Sequence, residues 1–162
     1  MKNRNDPGEN LRRGREILDP LLTTHGFGFV VEASGRSSGG EFASGEYVRG
    51  DRRLELHFRH SLGLVRYHVG PISMTHGDYM RALGREGQHR YPGFSQDPLD
   101  AFRDLRSDLE AFCGDFLAGA GDRFQEAAAW AAQHPPATGM KALSEKRDAP
   151  LRSGTDDDGG RA

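Results

Sequence analysis

Apolar and polar residues alternate through the middle of the chain, in a pattern typical of β-strands. The alternation recurs in four segments: FGFVVEA (27–33), EFASGEYVR (41–49), RRLELHFRH (52–60) and LGLVRYHVG (62–70). Successive side chains of a strand point to opposite faces of a sheet, so this period indicates a buried face and a polar face. The pattern predicts four consecutive antiparallel strands.

Two turns set the predicted register of the last three strands. Gly50-Asp51 suits a two-residue hairpin turn, and Ser61-Leu62 is taken as the next turn. Both registers bring apolar or small residues together on one face, as a half-buried sheet requires. The predicted pairs are Tyr47 with Leu54, Gly45 with Leu56, Ala43 with Phe58, and then Phe58 with Val65, Leu56 with Tyr67, and Leu54 with Val69.

Helical periodicity flanks the strands. An apolar stripe over about 9–24, interrupted by Asp19-Pro20, predicts a first helix or two short ones. After the strands, Thr75 and Asp78 resemble a capping box, Asp97-Pro98 opens an amphipathic stretch to about 118, and an Ala-rich segment covers 122–133. The predicted fold is α+β: an N-terminal helix, a four-stranded antiparallel meander, then three helices packed on one sheet face.

Long apolar side chains are concentrated between residues 11 and 132. Only 35% of the chain is hydrophobic and its mean hydropathy is −0.72. We therefore predict a single α+β domain over 9–134 and a disordered C-terminal tail over 135–162, which is poor in apolar residues. The Gly- and Ser-rich stretch 34–40 is expected to form a flexible hairpin loop.

Charge and cysteine content narrow the function classes. The 22 basic and 24 acidic residues give a net charge of −2, which does not favour a nucleic-acid binder. The single cysteine, Cys113, excludes an intramolecular disulfide and fits a reducing compartment. No apolar run approaches the roughly 18 residues that a membrane span needs, so we expect a cytoplasmic protein without membrane contact.

The polar face of the predicted sheet is the first candidate binding surface. Its register places Glu46 opposite Glu55, and Glu55 opposite His68. It also places His57 opposite Arg66 and beside Ser44. Carboxylates and imidazoles at cross-strand distance could do acid–base work, hold a metal or bind a partner, although they also suit a merely solvated face. The proposed surface residues on this sheet are Glu46, Arg53, Glu55, His57, Arg59, Arg66 and His68.

The loop at 84–96 is the second candidate surface, through His89 and Tyr91. Titratable and aromatic side chains in a loop suit a protein interface. The structural alternative is that Tyr91 and Phe94 fasten the loop to the core, while Thr75 caps the preceding helix.

Motifs for catalysis or metal binding are missing from the sequence. His57 and His60 are three residues apart, which on a strand places them on opposite faces, and no CxxC or HExxH pattern occurs. Cys113 falls in the apolar stripe of the long helix, where a thiol is inert. The stretch 34–40 lacks GxxxxGK[ST]. We predict no catalytic residue, metal ligand or cofactor.

The favoured functional hypothesis is a non-enzymatic protein-interaction module of a small bacterial-type protein, of the immunity or antitoxin kind or an accessory subunit. This suggestion rests on size and character alone. The alternative is a small enzyme that acts on an anionic or phosphate-containing substrate through the Glu, His and Arg side chains of the sheet. Nucleic-acid binding through the arginines is a third, weakened by Glu46 and Glu55. An open sheet edge would also allow a homodimer.

Overall fold

The computed structural model of the chain describes residues 6–37 and 40–136. These residues form five strands and five helices, and the elements up to Ala132 make one compact unit. In chain order the elements are α1 Pro7–Thr24, β1 Gly28–Ser37, β2 Gly40–Arg49, β3 Arg52–Phe58, β4 Leu62–Val69, β5 Ile72–Thr75, α2 His76–Ala82, α3 Asp100–Phe112, α4 Gly114–Leu117 and α5 Asp122–Gln133. The predicted α+β class is confirmed. Most of the predicted tail, 137–162, lies outside the described residues.

The sheet is an antiparallel meander in the order β1-β2-β3-β4-β5. Its fifth strand corrects the predicted count of four. Gly70, at φ +59°, and Pro71 form a two-residue turn that pairs Val69 with Ile72. Glycine is suited to this left-handed conformation because it has no Cβ. The turn thus adds β5 to the sheet immediately before α2.

The predicted register is right at one hairpin and wrong at the next. Gly50-Asp51 is the turn between β2 and β3, and Tyr47 pairs with Leu54 as predicted. Between β3 and β4, however, Leu54 pairs with Tyr67 rather than with Val69.

The error arises at the turn, which is the three-residue segment Arg59–Ser61 rather than Ser61-Leu62, and the register then shifts by one residue between Phe58 and His57. Glu55 therefore lies opposite Arg66, not His68, and His57 lies opposite Leu64, not Arg66. The displacement is two residues, and side chains alternate with a period of two, so every residue keeps its predicted face.

Strand β1 is longer than the sequence indicated. It continues to Ser37, and β2 begins at Gly40, so most of the stretch predicted to be a flexible loop is a paired hairpin. An exposed ion pair between Arg36 and Glu41, with a nitrogen–oxygen distance of 3.1 Å, spans the two strands.

The helices differ from prediction at two points. α1 is one helix through Pro20, and Asp6 caps it by accepting a hydrogen bond from the Glu9 amide at 3.0 Å. The long helix expected to reach 118 ends at Phe112, and α4 begins after Cys113, so four helices rather than three follow the sheet. Helix α2 begins as predicted, with the Thr75 hydroxyl accepting from the Asp78 amide at 3.2 Å.

The core lies between one sheet face and the helices. Its fully buried members are Leu18, Leu22, Tyr47, Leu54, Leu56, Phe58, Tyr67, Tyr79, Met80, Phe102, Leu105, Leu109, Cys113, Phe116 and Phe124. Arg52 is also buried, and its guanidinium donates to the carbonyls of Asp115, Phe116 and Gly119 at 2.9, 2.7 and 2.6 Å. These bonds satisfy a buried charge and join β3 to the end of α4. No helix among the described residues is long and apolar enough to span a bilayer.

We predict that Gly14→Ala lowers the free energy of unfolding by about 1–2 kcal/mol. Gly14 is buried in α1, and a Cβ there would overlap the Phe102 ring. Overpacking costs ~1–3 kcal/mol or more, which exceeds the roughly 1 kcal/mol that alanine gains in helix propensity. Urea denaturation measures the change. Gly8→Ala, in the exposed first turn of the same helix, is the control and should be neutral or stabilising. Equal effects of both substitutions would contradict this packing.

Candidate functional site

The outer face is the side of the sheet opposite the core. Its side chains in β2–β5 are mostly half-buried rather than fully solvated, because neighbours on adjacent strands cover one another. The half-buried members are Phe42, Ser44, Glu46, Val48, Arg53, Glu55, His57, Leu64, Arg66, His68 and Thr75, with Arg59 just beyond β3.

A chain of polar contacts orders four residues of this face. Arg53 donates through Nη1 to Oε2 of Glu46 at 3.0 Å, and its Nη2 lies 3.3 Å from Nδ1 of His68. The other ring nitrogen, Nε2, is 2.9 Å from Oε1 of Glu55. A guanidinium can only donate, so Nδ1 of His68 accepts and Nε2 carries the proton that is donated to Glu55.

This network offsets the repulsion expected between Glu46 and Glu55. The two residues are cross-strand neighbours, as predicted, and like charges at that distance destabilise a sheet. Each carboxylate has its own donor, Arg53 for one and His68 for the other. The Glu46 and His68 side chains are 12% and 15% exposed, whereas their partners Arg53 and Glu55 are 41% and 31% exposed, so water screens these contacts in part.

A second group on the outer face is aromatic. The rings of Phe42 and His57 stack with centroids 5.4 Å apart, and the Arg59 guanidinium lies 5.9 Å from the Phe42 ring centre. Arg59 also donates to the Gly40 carbonyl at 3.1 Å. These contacts fix the orientation of the His57 ring, whose nitrogens make no hydrogen bond within the described part of the chain.

Arg66 stands apart from both groups. It lies opposite Glu55 on β3 and Thr75 on β5, in the middle of the sheet. Glu55 is engaged with His68, and the Arg66 guanidinium forms neither a hydrogen bond nor an ion pair with the described groups of 6–30, 33–36 and 40–136. The outer face therefore holds one half-buried guanidinium whose five donors are available to a ligand.

The nine predicted surface residues separate into two groups. Seven lie together at the outer face, but His89 and Tyr91 do not join them. Tyr91 is 5% exposed and donates its hydroxyl to the Leu62 carbonyl at 2.6 Å. His89 is half-buried, with Nδ1 2.7 Å from the Tyr91 carbonyl oxygen. Tyr91 therefore fastens the loop to the domain, whereas His89 bonds within the loop and packs its ring against His76.

Phe94 is the residue that this loop presents to solvent. The structural alternative predicted from the sequence has Phe94 and Tyr91 both packing inward, but the Phe94 side chain is fully exposed. Aromatic character alone did not distinguish the two. The difference depends on the Leu62 carbonyl and on Asp108, which are distant in sequence and lie next to Tyr91 only in the fold.

A buried polar network lies on the core side of β4. Nδ1 of His76 is 2.7 Å from the Tyr67 hydroxyl, which is 3.7 Å from Sγ of Cys113. Nε2 of His76 is 2.9 Å from Oδ2 of Asp108. A neutral His76 protonated at Nε2 satisfies every contact, because Cys113 then donates to Tyr67, Tyr67 to His76, and His76 to the Asp108 carboxylate.

Asp108 joins this network to the loop before α3. Its Oδ1 accepts from the Arg90 amide at 2.7 Å, and its Oδ2 accepts from the Tyr91 amide at 2.9 Å. Burial would raise the pKa of Asp108, but the hydrogen bonds from His76 and from these two amides hold it below its usual value. The carboxylate is thus a charged anchor for the 84–96 loop.

His76, His89 and Asp108 also satisfy the distance requirement for a metal site, with ligand atoms within 4.8 Å of one another. Their hydrogen bonds favour another role. Both nitrogens of His76 are engaged, and Nδ1 of His89 donates to a carbonyl. A cation would have to break these bonds, so the cluster fits a structural network better than a metal centre.

The thiol at the end of this network is unsuited to nucleophilic catalysis. Cys113 is fully buried, and burial raises its pKa to about 12. A thiolate is the reactive form, so this cysteine stays protonated at neutral pH. Burial likewise raises the pKa of Tyr67 well above its usual value.

Two hollows in the described residues lie near the start of α1, away from the Glu55, Arg66 and His68 side chains. One, of about 440 Å³, is open and lined chiefly by Asp6–Gly8 and the β1–β2 hairpin. The other, of about 160 Å³, lies between α1 and the sheet and is lined by Leu11, Arg12, Arg15 and Phe29 among others. Neither brings the predicted polar residues around a cavity.

Comparison of the chain with protein families, with curated proteins and with solved structures found no significant match. The functional argument therefore depends on the geometry of the residues themselves.

We predict that stability decreases as the pH falls below about 6.5, in part through His76. Burial lowers the pKa of His76 below 6.5, despite the opposing effect of Asp108. The unfolded chain then takes up a proton that the folded chain does not, so this contribution is complete above pH 6.5 and is lost as the pH falls towards the folded pKa. Its slope is at most about 1.4 kcal/mol per pH unit.

Urea denaturation at several pH values between 5 and 7.5 measures this effect. His76→Gln should reduce the slope of unfolding free energy against pH, whatever its effect at pH 7.5. The control is His60→Gln, because His60 is exposed and should leave the slope unchanged. Identical slopes for the wild type and His76→Gln would contradict the role given to His76.

Proposed function

We propose that this protein is a non-enzymatic interaction module that binds another protein through the outer face. The observation that carries the proposal is the preformed network of Glu46, Arg53, Glu55 and His68. Side chains already held in place lose less conformational entropy on binding than mobile ones do. A rigid sheet supports all four.

The composition of the face also suits a protein partner. Arginine and aromatic residues are enriched at interfaces, and here Arg66, Arg59 and Phe42 lie among the apolar side chains Val48 and Leu64. Half-buried apolar side chains that lie among ordered polar side chains are typical of the centre of a protein–protein interface, more than of a surface exposed to solvent.

Acid–base catalysis at the same face has less support. Glu55 and His68 are bound to one another, and Arg53 occupies the second nitrogen of His68. A small-molecule enzyme needs a concave site, and the hollows near α1 are lined by other residues. The buried His76 and Asp108 are inaccessible to a substrate.

Phe94 offers a second contact outside the sheet. The Asp108 carboxylate holds the backbone of Arg90 and Tyr91, so the loop that carries Phe94 is anchored close to it. A fully exposed phenylalanine near an anchored point can enter a pocket of a partner at a small entropic cost.

The edge strand β1 provides a route to a homodimer. It pairs with β2 on one side only in the described sheet, and it is ten residues long. An edge of this length presents backbone groups to which another strand can add. Self-association through β1 would leave the outer face accessible.

The class of interaction module remains a proposal. Its size and its single unpaired cysteine fit a cytoplasmic protein of the immunity or antitoxin type, or an accessory subunit of an assembly.

We predict that the tagged full chain captures a specific protein from a lysate of its native host, and that a triple variant of the outer face loses it. The variant is Glu55→Gln, Arg66→Gln and His68→Gln, which removes charge from the face with little change in volume. Loss of the polar contacts that the partner makes should reduce recovery by about tenfold or more. Quantitative mass spectrometry of the captured material is the measurement.

The matched control is Arg13→Gln, Arg123→Gln and Glu126→Gln, a triple variant of exposed helix positions. Circular dichroism and thermal unfolding of both variants test whether they remain folded. Equal recovery of the same protein by the wild type and the outer-face variant would show that another surface binds it. Failure of the wild type to capture any specific protein would count against the proposed function.

A further inference from the structure

Some charged side chains of the outer face have partners of opposite charge or hydrogen-bond donors, and others do not. Both of its carboxylates are paired within the face, Glu46 with Arg53 and Glu55 with His68. Arg66, by contrast, makes no ion pair with any described residue. Within the described residues, the Arg66 guanidinium therefore has no anionic partner.

His57 lies on the strand next to Arg66. The register places Arg66 opposite Glu55 and His57 opposite Leu64, so His57 and Arg66 are diagonal neighbours. Diagonal Cβ atoms on adjacent strands are about 7–8 Å apart, a distance that a long arginine side chain can span. Stacking on Phe42 holds the imidazole in place, and its nitrogens are open to a ligand.

We propose that the surface between Arg66 and His57, here called the Arg66 site, binds a carboxylate side chain of an acidic protein partner. The guanidinium offers two parallel N–H groups that match the two oxygens of a carboxylate, and His57 adds a further donor. This inference rests on the proposed function, and it specifies the chemistry of the partner at that surface.

Charge on the same face favours an isolated carboxylate over a nucleic acid. Glu55 lies directly opposite Arg66, and Glu46 lies opposite Glu55 on β2. A phosphate backbone carries a dense row of negative charges, so several phosphates would lie against these carboxylates. A single glutamate or aspartate brings only one charge to Arg66 and meets less of this repulsion.

Apolar side chains next to Arg66 and His57 make the Arg66 site suitable for a protein ligand. Leu64 precedes Arg66 on the outer face of β4, and Phe42 covers one side of His57. A carboxylate flanked by apolar side chains would contact both kinds of group at once. Exclusion of water around the pair would strengthen the charged hydrogen bonds.

The test uses the full chain labelled with ¹⁵N, and as probe a blocked peptide with one glutamate between leucine residues, in low-salt buffer. Binding is followed by NMR through the Nε–Hε signal of Arg66 and the ring signals of His57. We expect saturable shifts at these groups. Affinity should fall about tenfold in Arg66→Gln and remain unchanged in Arg13→Gln, which removes an exposed arginine of α1.

Three outcomes would overturn the proposal. One is similar small shifts at all arginines, which would indicate nonspecific attraction. Another is equal affinity of Arg66→Gln and Arg13→Gln for the peptide. The third is stronger binding of a hexathymidylate probe at Arg66, which would assign the site to nucleic acid. A blocked hexalysine peptide is the negative control for charge sign.

The same variants separate this proposal from the proposed function. If Arg66→Gln still recovers the partner that the wild type captures, the interaction module stands and the carboxylate site at Arg66 does not. If the single-glutamate peptide binds at Arg66 but the wild type captures no protein, the anion chemistry stands and the proposed function is contradicted.

Discussion

The alternation of side chains along β2, β3 and β4 is the constraint on which both faces of this sheet depend. Tyr47, Leu54 and Tyr67 are fully buried on one face, and the residues next to them in sequence point to the other. A slip of one residue would bury Glu46 and Arg53 and expose the tyrosines, at a cost far above the stability of a small domain. The core and the candidate interface therefore share one register, and neither can change alone.

Two buried charged side chains fix the positions of segments outside the sheet, namely the end of α4 and the 84–96 loop. Arg52 lies on the core side and binds three carbonyls at the end of α4, while Asp108 binds the amides of Arg90 and Tyr91. In both cases a side-chain ion is satisfied largely by backbone groups, which have fixed directions. Apolar packing tolerates small shifts of a loop, but these hydrogen bonds do not. The hydrogen bonds of Asp108 thus fix the backbone at Tyr91, three residues before Phe94.

The sequence predicted those features of the fold that depend on residues close together in the chain. The register of β2 and β3 follows from Gly50-Asp51, because a two-residue turn leaves one pairing, and the cap of α2 follows from Thr75. The β3–β4 register did not follow, because three residues, Arg59–Ser61, separate the strands and the pairing shifts after His57. Seven surface residues were still placed correctly, since an error of two positions preserves the face.

The remaining differences depend on contacts between distant residues. The end of α3 at Phe112 was hidden by an apolar stripe that continues through Cys113 to Phe116, although Gly114 was a local signal for a break. Tyr91 was assigned to a surface because its polar partners, Asp108 and the Leu62 carbonyl, lie 17 and 29 residues away in sequence. His89 was assigned with it, and in the fold its ring lies against the buried His76. Nothing local distinguishes such an anchor from an exposed aromatic such as Phe94.

The described side chains of the outer face carry a surplus of positive charge, whereas the chain as a whole has a net negative charge. Among the described side chains of β2–β5 and Arg59, three guanidinium groups, those of Arg53, Arg59 and Arg66, outnumber the two carboxylates, and His68 is neutral when it accepts from Arg53. The whole chain has a net charge of −2, so a surplus positive charge among these side chains opposes the overall field. An acidic partner of the proposed kind would be repelled at long range and attracted within about 10 Å, close to the screening length at 0.1 M salt. Such a balance weakens nonspecific encounters and favours those in which a carboxylate meets the outer face directly.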